Sequence, residues 1–164
     1  MRALASRHLR GLFRFGGRET RQEFWPWVAL VVAVGMTAWT LALIGMLAVV
    51  MRAGGASQIM DDAGGVMTVI ALTSIVMLAA AVNRRLHDSG RGGWWGIPAP
   101  ILLLTGLFVM SRAEASLRAD QGHPFSGWFG AAMGVNLLYL ASLALLIILC
   151  ALPGETGENR YGKP

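Results

Sequence analysis

Four stretches of this chain run without a charged residue for long enough to cross a bilayer as a helix, which takes about 20 apolar residues. They cover residues 24–51, 63–82, 92–111 and 124–154. None alternates with a period of two, so barrel strands are a poor reading. Continuous runs rich in Leu, Ala, Val and Met favour helices, which satisfy their own backbone polar groups inside lipid. The composition agrees: 55% of the residues are hydrophobic and only 14% charged, where a soluble domain carries about a quarter. The expected fold is an all-α integral membrane protein, a bundle of four transmembrane helices over about 24–51, 63–87, 97–117 and 125–152. A basic segment, 1–23, precedes this membrane domain of 24–152, and an irregular tail, 153–164, follows it.

The third run needs an extension to reach full length. Pro98 and Pro100 belong in a first helical turn rather than an interior, so a helix starting there must continue past Arg112. Trp94 and Trp95 would then anchor its end at the interface. A shallow or re-entrant segment is the alternative. In the basic segment, Leu4, Leu12 and Phe15 fall near one helical face among arginines, the pattern of a short helix lying on the lipid surface. A disordered arm that only enforces topology is the other reading. The first apolar run far exceeds the roughly 7–15-residue core of a signal peptide, so an uncleaved membrane helix is expected.

Orientation follows from the arginines. Arg2, Arg7, Arg10, Arg14, Arg18 and Arg21 precede the first run; Arg84, Arg85 and Arg91 lie between the second and third; Arg160 and Lys163 lie in the tail. The opposite side holds only Arg52, Arg112 and Arg118. Basic residues stay cytoplasmic, which puts both termini inside. The formal net charge of +5 points, in so apolar a chain, to an anionic membrane surface and not to nucleic acid.

The membrane interior is chemically quiet. No ionisable group, the usual mark of a pathway or relay, falls within the four runs. The polar residues there are mild, such as Thr37, Thr40, Thr68, Thr73, Ser74 and Thr105. On the fourth helix Asn136, Tyr139 and the Gly130-to-Gly134 spacing suit a close packing face. The one cysteine, Cys150, excludes an intrachain disulfide framework and reads as a packing residue. No Cys/His pattern has metal spacing, and no cofactor is implied.

Two dense clusters remain, both at the expected cytoplasmic face. The first is FGGRETRQEFW, Phe15 to Trp25. Arg18 and Arg21 are three apart and can share a helical face, with Glu19 and Glu23 within a turn; Pro26 fits the first turn of the membrane helix. Trp25 and Trp27 would sit at headgroup depth. The second is NRRLHDSGRGGWW, Asn83 to Trp95. If the second helix continues through it, Arg84 and Asp88 stand at i and i+4 and can pair. Ser89 and Gly90 then end the helix. His87 beside Asp88 invites an acid–base reading, although adjacent helical residues point in different directions. The clusters can equally be ion-paired hinges that lock the helices together, or arginines that grip an anionic headgroup while tryptophans embrace the acyl boundary.

These residues carry a resemblance. The chain resembles the bacterial inner-membrane family known as domain of unknown function 805 over nearly its whole length. The anchors are FGGRETRQEFW, RRLHDSGRGGWW and the tail PGETGENRYGKP. Gly92 stands where a serine is common in the family, and Lys163 where proline is usual. The resemblance implies a small multi-helix protein of the bacterial inner membrane and no established activity. It makes Arg18, Arg21, Phe24, Trp25, Arg85, Leu86, His87, Asp88, Gly90, Trp94 and Trp95 motif positions, without catalytic roles.

Three functions compete. A non-enzymatic scaffold or accessory subunit would use the cytoplasmic Arg/Trp face to bind anionic headgroups or a membrane-protein partner. A small channel or transporter, built as a homo-oligomer, would need a polar path near Thr73, Asn136 and Tyr139. An interfacial enzyme would need His87 and Asp88 to converge on an open pocket beside Arg84 or Arg85.

Overall fold

The computed structural model describes residues 2–53, 56–119 and 127–162. They form five α-helices: α1 (Arg2–Arg10), α2 (Arg21–Ala53), α3 (Ala56–Asp88), α4 (Pro98–Ala119) and α5 (Gly127–Ala151), with a 3-10 turn at Gly93–Gly96 between α3 and α4. Four of them, α2 to α5, are long and apolar enough to cross a membrane. Among the described residues there is no strand, only an isolated bridge between Asn159 and Gly162. The helical membrane fold expected from the apolar runs is the one observed.

The third segment is a full helix. Pro98 occupies its first position, and α4 runs on past Arg112 to Ala119, 22 residues or about 33 Å at 1.5 Å per residue. That length and composition suffice for a full span. At the other end of the chain α2 starts at Arg21, earlier than expected, so Pro26 lies inside the helix and not in its first turn. Without an N–H, Pro26 leaves the Gln22 carbonyl without its helical donor.

The bundle is two helix pairs, α2 with α3 and α4 with α5. In the second pair Gly106 of α4 faces Val135 of α5. The Gly130-to-Gly134 spacing expected as a packing face does not serve that contact: a Cβ on either glycine would meet nothing within 4 Å, and Asn136 is exposed as well. The outer faces carry large apolar side chains such as Val34, Leu41, Leu47, Phe108, Leu137 and Ile148, all more than half exposed in the single chain. Such a surface suits lipid and not water.

The core lies at one end of the bundle and not at its middle. Phe24 and Trp27 from α2, Ala81 and Leu86 from α3, and Leu149 and Cys150 from α5 form the buried cluster. The start of α2, the end of α3 and the end of α5 meet there. The N-terminal segment and the tail both fold onto that same end, which sets up the site.

Candidate functional site

The end of α3 is where the site begins. Gly90 has φ +71, a left-handed conformation open to glycine at little cost. It closes α3 with a Schellman pattern: Arg91 N–H donates to Leu86 O at 2.9 Å and Gly90 N–H to His87 O at 3.0 Å. The expected stop at Ser89 and Gly90 is therefore where the helix turns out. The last turn of α3 carries Arg84, Arg85, His87 and Asp88; Arg85 and Asp88 pair with each other, while Arg84, His87 and Asp88 also reach other parts of the chain.

Asp88 holds the centre. Its Oδ1 accepts from Arg18 Nε at 3.1 Å and lies 3.0 Å from Arg18 Nη2, while Oδ2 pairs with Arg85 Nη1. The expected Arg84–Asp88 pair does not form. At i+3 the Arg85 guanidinium reaches Asp88 first, and Arg84 turns instead to Glu19, with Nε 2.9 Å and Nη2 2.8 Å from Oε2. Arg18 lies ahead of α2, so it shares no helical face with Arg21. Its place in the segment ahead of α2 lets the side chain reach across to α3 and the tail.

Arg85 is fully buried, a placement tolerable only when its charge and donors are matched. They are. Besides Asp88, it donates from Nε to Cys150 O at 2.8 Å and from Nη2 to Leu152 O. Those carbonyls belong to the last turn of α5 and just beyond it, where helical donors run out. One arginine of α3 therefore caps α5 while pairing with an acid of its own helix. Cys150 is, as expected, a buried packing residue.

Glu19 forms a second centre. It is buried, takes Arg84 on one oxygen and His8 Nε2 at 2.8 Å on the other. The His8 ring stacks on Trp27, centroids 4.7 Å apart, and Trp27 Nε1 donates to Met77 O at 3.0 Å. The N-terminal arm is thus a helix docked on α2 by its histidine, not a disordered arm. Its helix ends at Arg10, so Leu12 and Phe15 lie beyond it and do not extend an apolar face of α1. Arg84 Nη1 secures the following loop through Arg14 O at 2.6 Å and Gly11 O at 3.2 Å.

The tail is irregular in secondary structure but tied down. Arg18 threads through it, donating to Gly157 O at 2.6 Å, Gly162 O at 3.3 Å and Glu155 O. Glu155 N–H donates to Asp88 O at 2.8 Å, and Asn159 Nδ2 to His87 O at 3.0 Å. A turn from Asn159 to Gly162 lays the Tyr161 ring flat on His87, centroids 3.7 Å apart and planes within 5°. Gly154 passes so close to the Asp88 carboxylate that a Cβ there would overlap it.

His87 and Asp88 consequently face different neighbours. His87 Nδ1 lies 3.3 Å from Gly17 O and Nε2 3.3 Å from Asn83 Nδ2. Gly17 O only accepts and Asn83 Nδ2 only donates, so a single tautomer, with its proton on Nδ1, meets both. Of the remaining motif residues, Phe24 is buried in the core and meets Trp25 edge-on, centroids 5.2 Å apart. Glu23 pairs with Arg7 at 2.6 Å on the surface. Arg21 is exposed and reaches Ala151 O at 3.3 Å. Trp94 and Trp95 stack, centroids 4.2 Å apart, with Trp94 turned outward and Trp95 packed against the core.

Two open spaces flank this network. One is a polar cavity of about 550 Å³ whose walls hold Arg7, Arg10, Arg14, Arg18 and Arg84, with His8, Glu19 and Glu23. The other is an apolar groove of about 610 Å³ between α3, α4 and α5, with Trp94 and Phe15 at one end and Tyr139 on its wall. His8, Asn83, Asn159 and Tyr161 were not singled out as site residues in the sequence. His8 gives no local signal at all, whereas Asn159 and Tyr161 lie within the tail motif. Among the described residues no group of three or more His, Cys, Asp and Glu residues could hold a metal.

The chain matches the family model described as "Protein of unknown function (DUF805)" over residues 12–163. It is 30% identical over 152 residues to the Escherichia coli (strain K12) protein named "Uncharacterized protein YiiR", covering 93% of this chain and 86% of that one. It is 25% identical over 155 residues to "Inner membrane protein YhaH" and 27% identical over 155 residues to "Inner membrane protein YhaI" of the same organism, covering 94% of this chain and 88% of each. No solved structure matches the chain significantly.

Proposed function

From the premise that this chain belongs to the family of unknown function DUF805, we propose that it is a non-enzymatic scaffold or accessory subunit of the bacterial inner membrane, with both termini cytoplasmic and a basic cytoplasmic end that binds anionic lipid headgroups. The inner-membrane placement rests on the names of YhaH and YhaI and on the four long apolar helices. The orientation rests on the arginine distribution.

One observation carries the reading: the motif residues consume one another. Asp88 is taken by Arg18 and Arg85, and His87 lies flat under Tyr161. Asp88 so occupied is closed to a substrate and His87 has one ring face covered, which counts against an interfacial enzyme. The channel alternative has little support either, because Thr37, Thr40, Thr68, Thr73 and Thr105 each donate to the carbonyl four residues back in their own helix.

The arginines suited to a headgroup are therefore not the motif arginines. Around the polar cavity Arg7 pairs with Glu23, Arg84 with Glu19 and Arg18 with Asp88. Arg10 and Arg14 are exposed and have no ion pair among the described residues. Purified protein in a neutral detergent should unfold at higher temperature when phosphatidylglycerol is added and show no shift with phosphatidylcholine, by mass action of a ligand bound to the folded state. The shift should shrink in an Arg10→Gln/Arg14→Gln variant. Equal shifts with both lipids would remove the headgroup reading.

A further inference from the structure

The two open spaces lie on either side of one strip of chain. Arg14 and Gly16 line the polar cavity, and Phe15 between them lines the apolar groove. Likewise Arg84 lines the cavity and its neighbour Asn83 the groove. Asn83 Nδ2 donates to Phe15 O at 2.7 Å, tying the two halves of that wall together. The groove's other end is marked by Ala71 on α3. From Asn83 to Ala71 the helix advances about 18 Å at 1.5 Å per residue, close to one leaflet of a hydrocarbon core about 30 Å thick.

We propose that this is a single binding site for an anionic phospholipid, with an acyl chain in the groove and the phosphate held by Arg10 and Arg14 at the cavity. The inference rests on the headgroup reading above and adds the seat of the chain. Three features favour a lipid over a second copy of the protein as the occupant. The groove has the depth of a leaflet. Its mouth, at Phe15, Asn83 and Trp94, is at the end of the bundle that carries the unpaired arginines. The charge of the cavity wall, five arginines against two glutamates, complements a phosphate. Trp94, 59% exposed, stands where the glycerol region of such a lipid would lie.

Trp94 fluorescence gives a direct test, isolated by subtracting a Trp94→Phe variant. The full-length protein in mixed micelles is titrated with phosphatidylglycerol or phosphatidylcholine carrying brominated acyl chains. Wild type should be quenched at much lower concentrations of the phosphatidylglycerol probe. The Arg10→Gln/Arg14→Gln variant should lose that preference by about 25-fold, at roughly fivefold per arginine at an anionic site, and still reach full quenching. Ala79→Phe, which fills the groove wall, should abolish the quenching by either lipid. If wild type shows no preference for phosphatidylglycerol, both this inference and the headgroup reading fall. If Ala79→Phe keeps the wild-type preference and quenching, only the groove assignment falls. Native mass spectra showing a dimer that carries no lipid would assign the groove to a second copy and overturn it too.

Discussion

At the scale of single residues, this protein separates buried charges from exposed ones, and the two should behave differently. Arg85 and Asp88 are buried with every side-chain nitrogen and oxygen partnered. Removing one partner leaves an uncompensated buried charge, which costs about 3–5 kcal/mol. Asp88→Ala is expected to lower the unfolding temperature in detergent sharply. Arg85→Lys should also destabilise, by about 2 kcal/mol, because a point ammonium cannot span Asp88, Cys150 O and Leu152 O as a planar fork does. The Arg7–Glu23 pair is as short, at 2.6 Å, but its side chains are 55% and 39% exposed. Water screens such a pair, and Arg7→Ala should cost less than about 1 kcal/mol. Thermal unfolding of the three variants side by side checks the order; an Arg7→Ala loss as large as that of Asp88→Ala would contradict it.

At the scale of elements, the tail acts as a strap over the end of α3. Its described residues, 153–162, form no helix and no strand, yet Arg18, Asp88 and His87 each hold it. Residues 153–164 read as irregular from their Gly, Pro and charge content, and that much is true of the backbone of 153–162. Their docking was not readable, because hydrogen bonds between residues about 140 positions apart, such as Arg18 to Gly157, leave no local signature. The same limit explains the Arg84–Asp88 expectation. Helical spacing lists which residues can meet, Arg85 with Asp88 among them, but the competing partners Arg18 and Glu19 come from the segment ahead of α2. Truncation after Leu152 should leave the membrane helices formed but raise amide hydrogen exchange at residues 15–20 and 87–93, where the tail's bonds are lost. Gly154→Ala should do the same more mildly, since its Cβ meets the Asp88 carboxylate. Unchanged exchange in both would show that the strap bears no share of local stability.

At the scale of the whole molecule, the membrane end and the lipid-facing surface divide the work. The helices meet mostly as two pairs and leave their outer faces to lipid, while the buried cluster and the ion pairs join α1, α2, α3, α5 and the tail at one end. The orientation proposed from the arginines is testable with single cysteines in a Cys150→Ala background. Arg160→Cys should react with a membrane-impermeant thiol reagent only after the cells are opened. Met51→Cys, at the far end of α2, should react from outside. The reverse pattern would invert the protein and place the basic cavity outside.

The sequence by itself determined the number of helices long and apolar enough to cross a membrane and the two places where charge and aromatic residues concentrate. Those follow from local quantities: runs of apolar residues matched to bilayer thickness, and charges that cannot enter it. What the clusters do with their charges was decided by tertiary structure alone. His8, 11 residues from Glu19, and Asn159, 72 residues from His87, become neighbours only when the two ends of the chain fold onto one end of the bundle. A buried guanidinium must satisfy all of its donors where it lies, and which carbonyls lie there is a property of the packed helices, not of the order of residues along the chain.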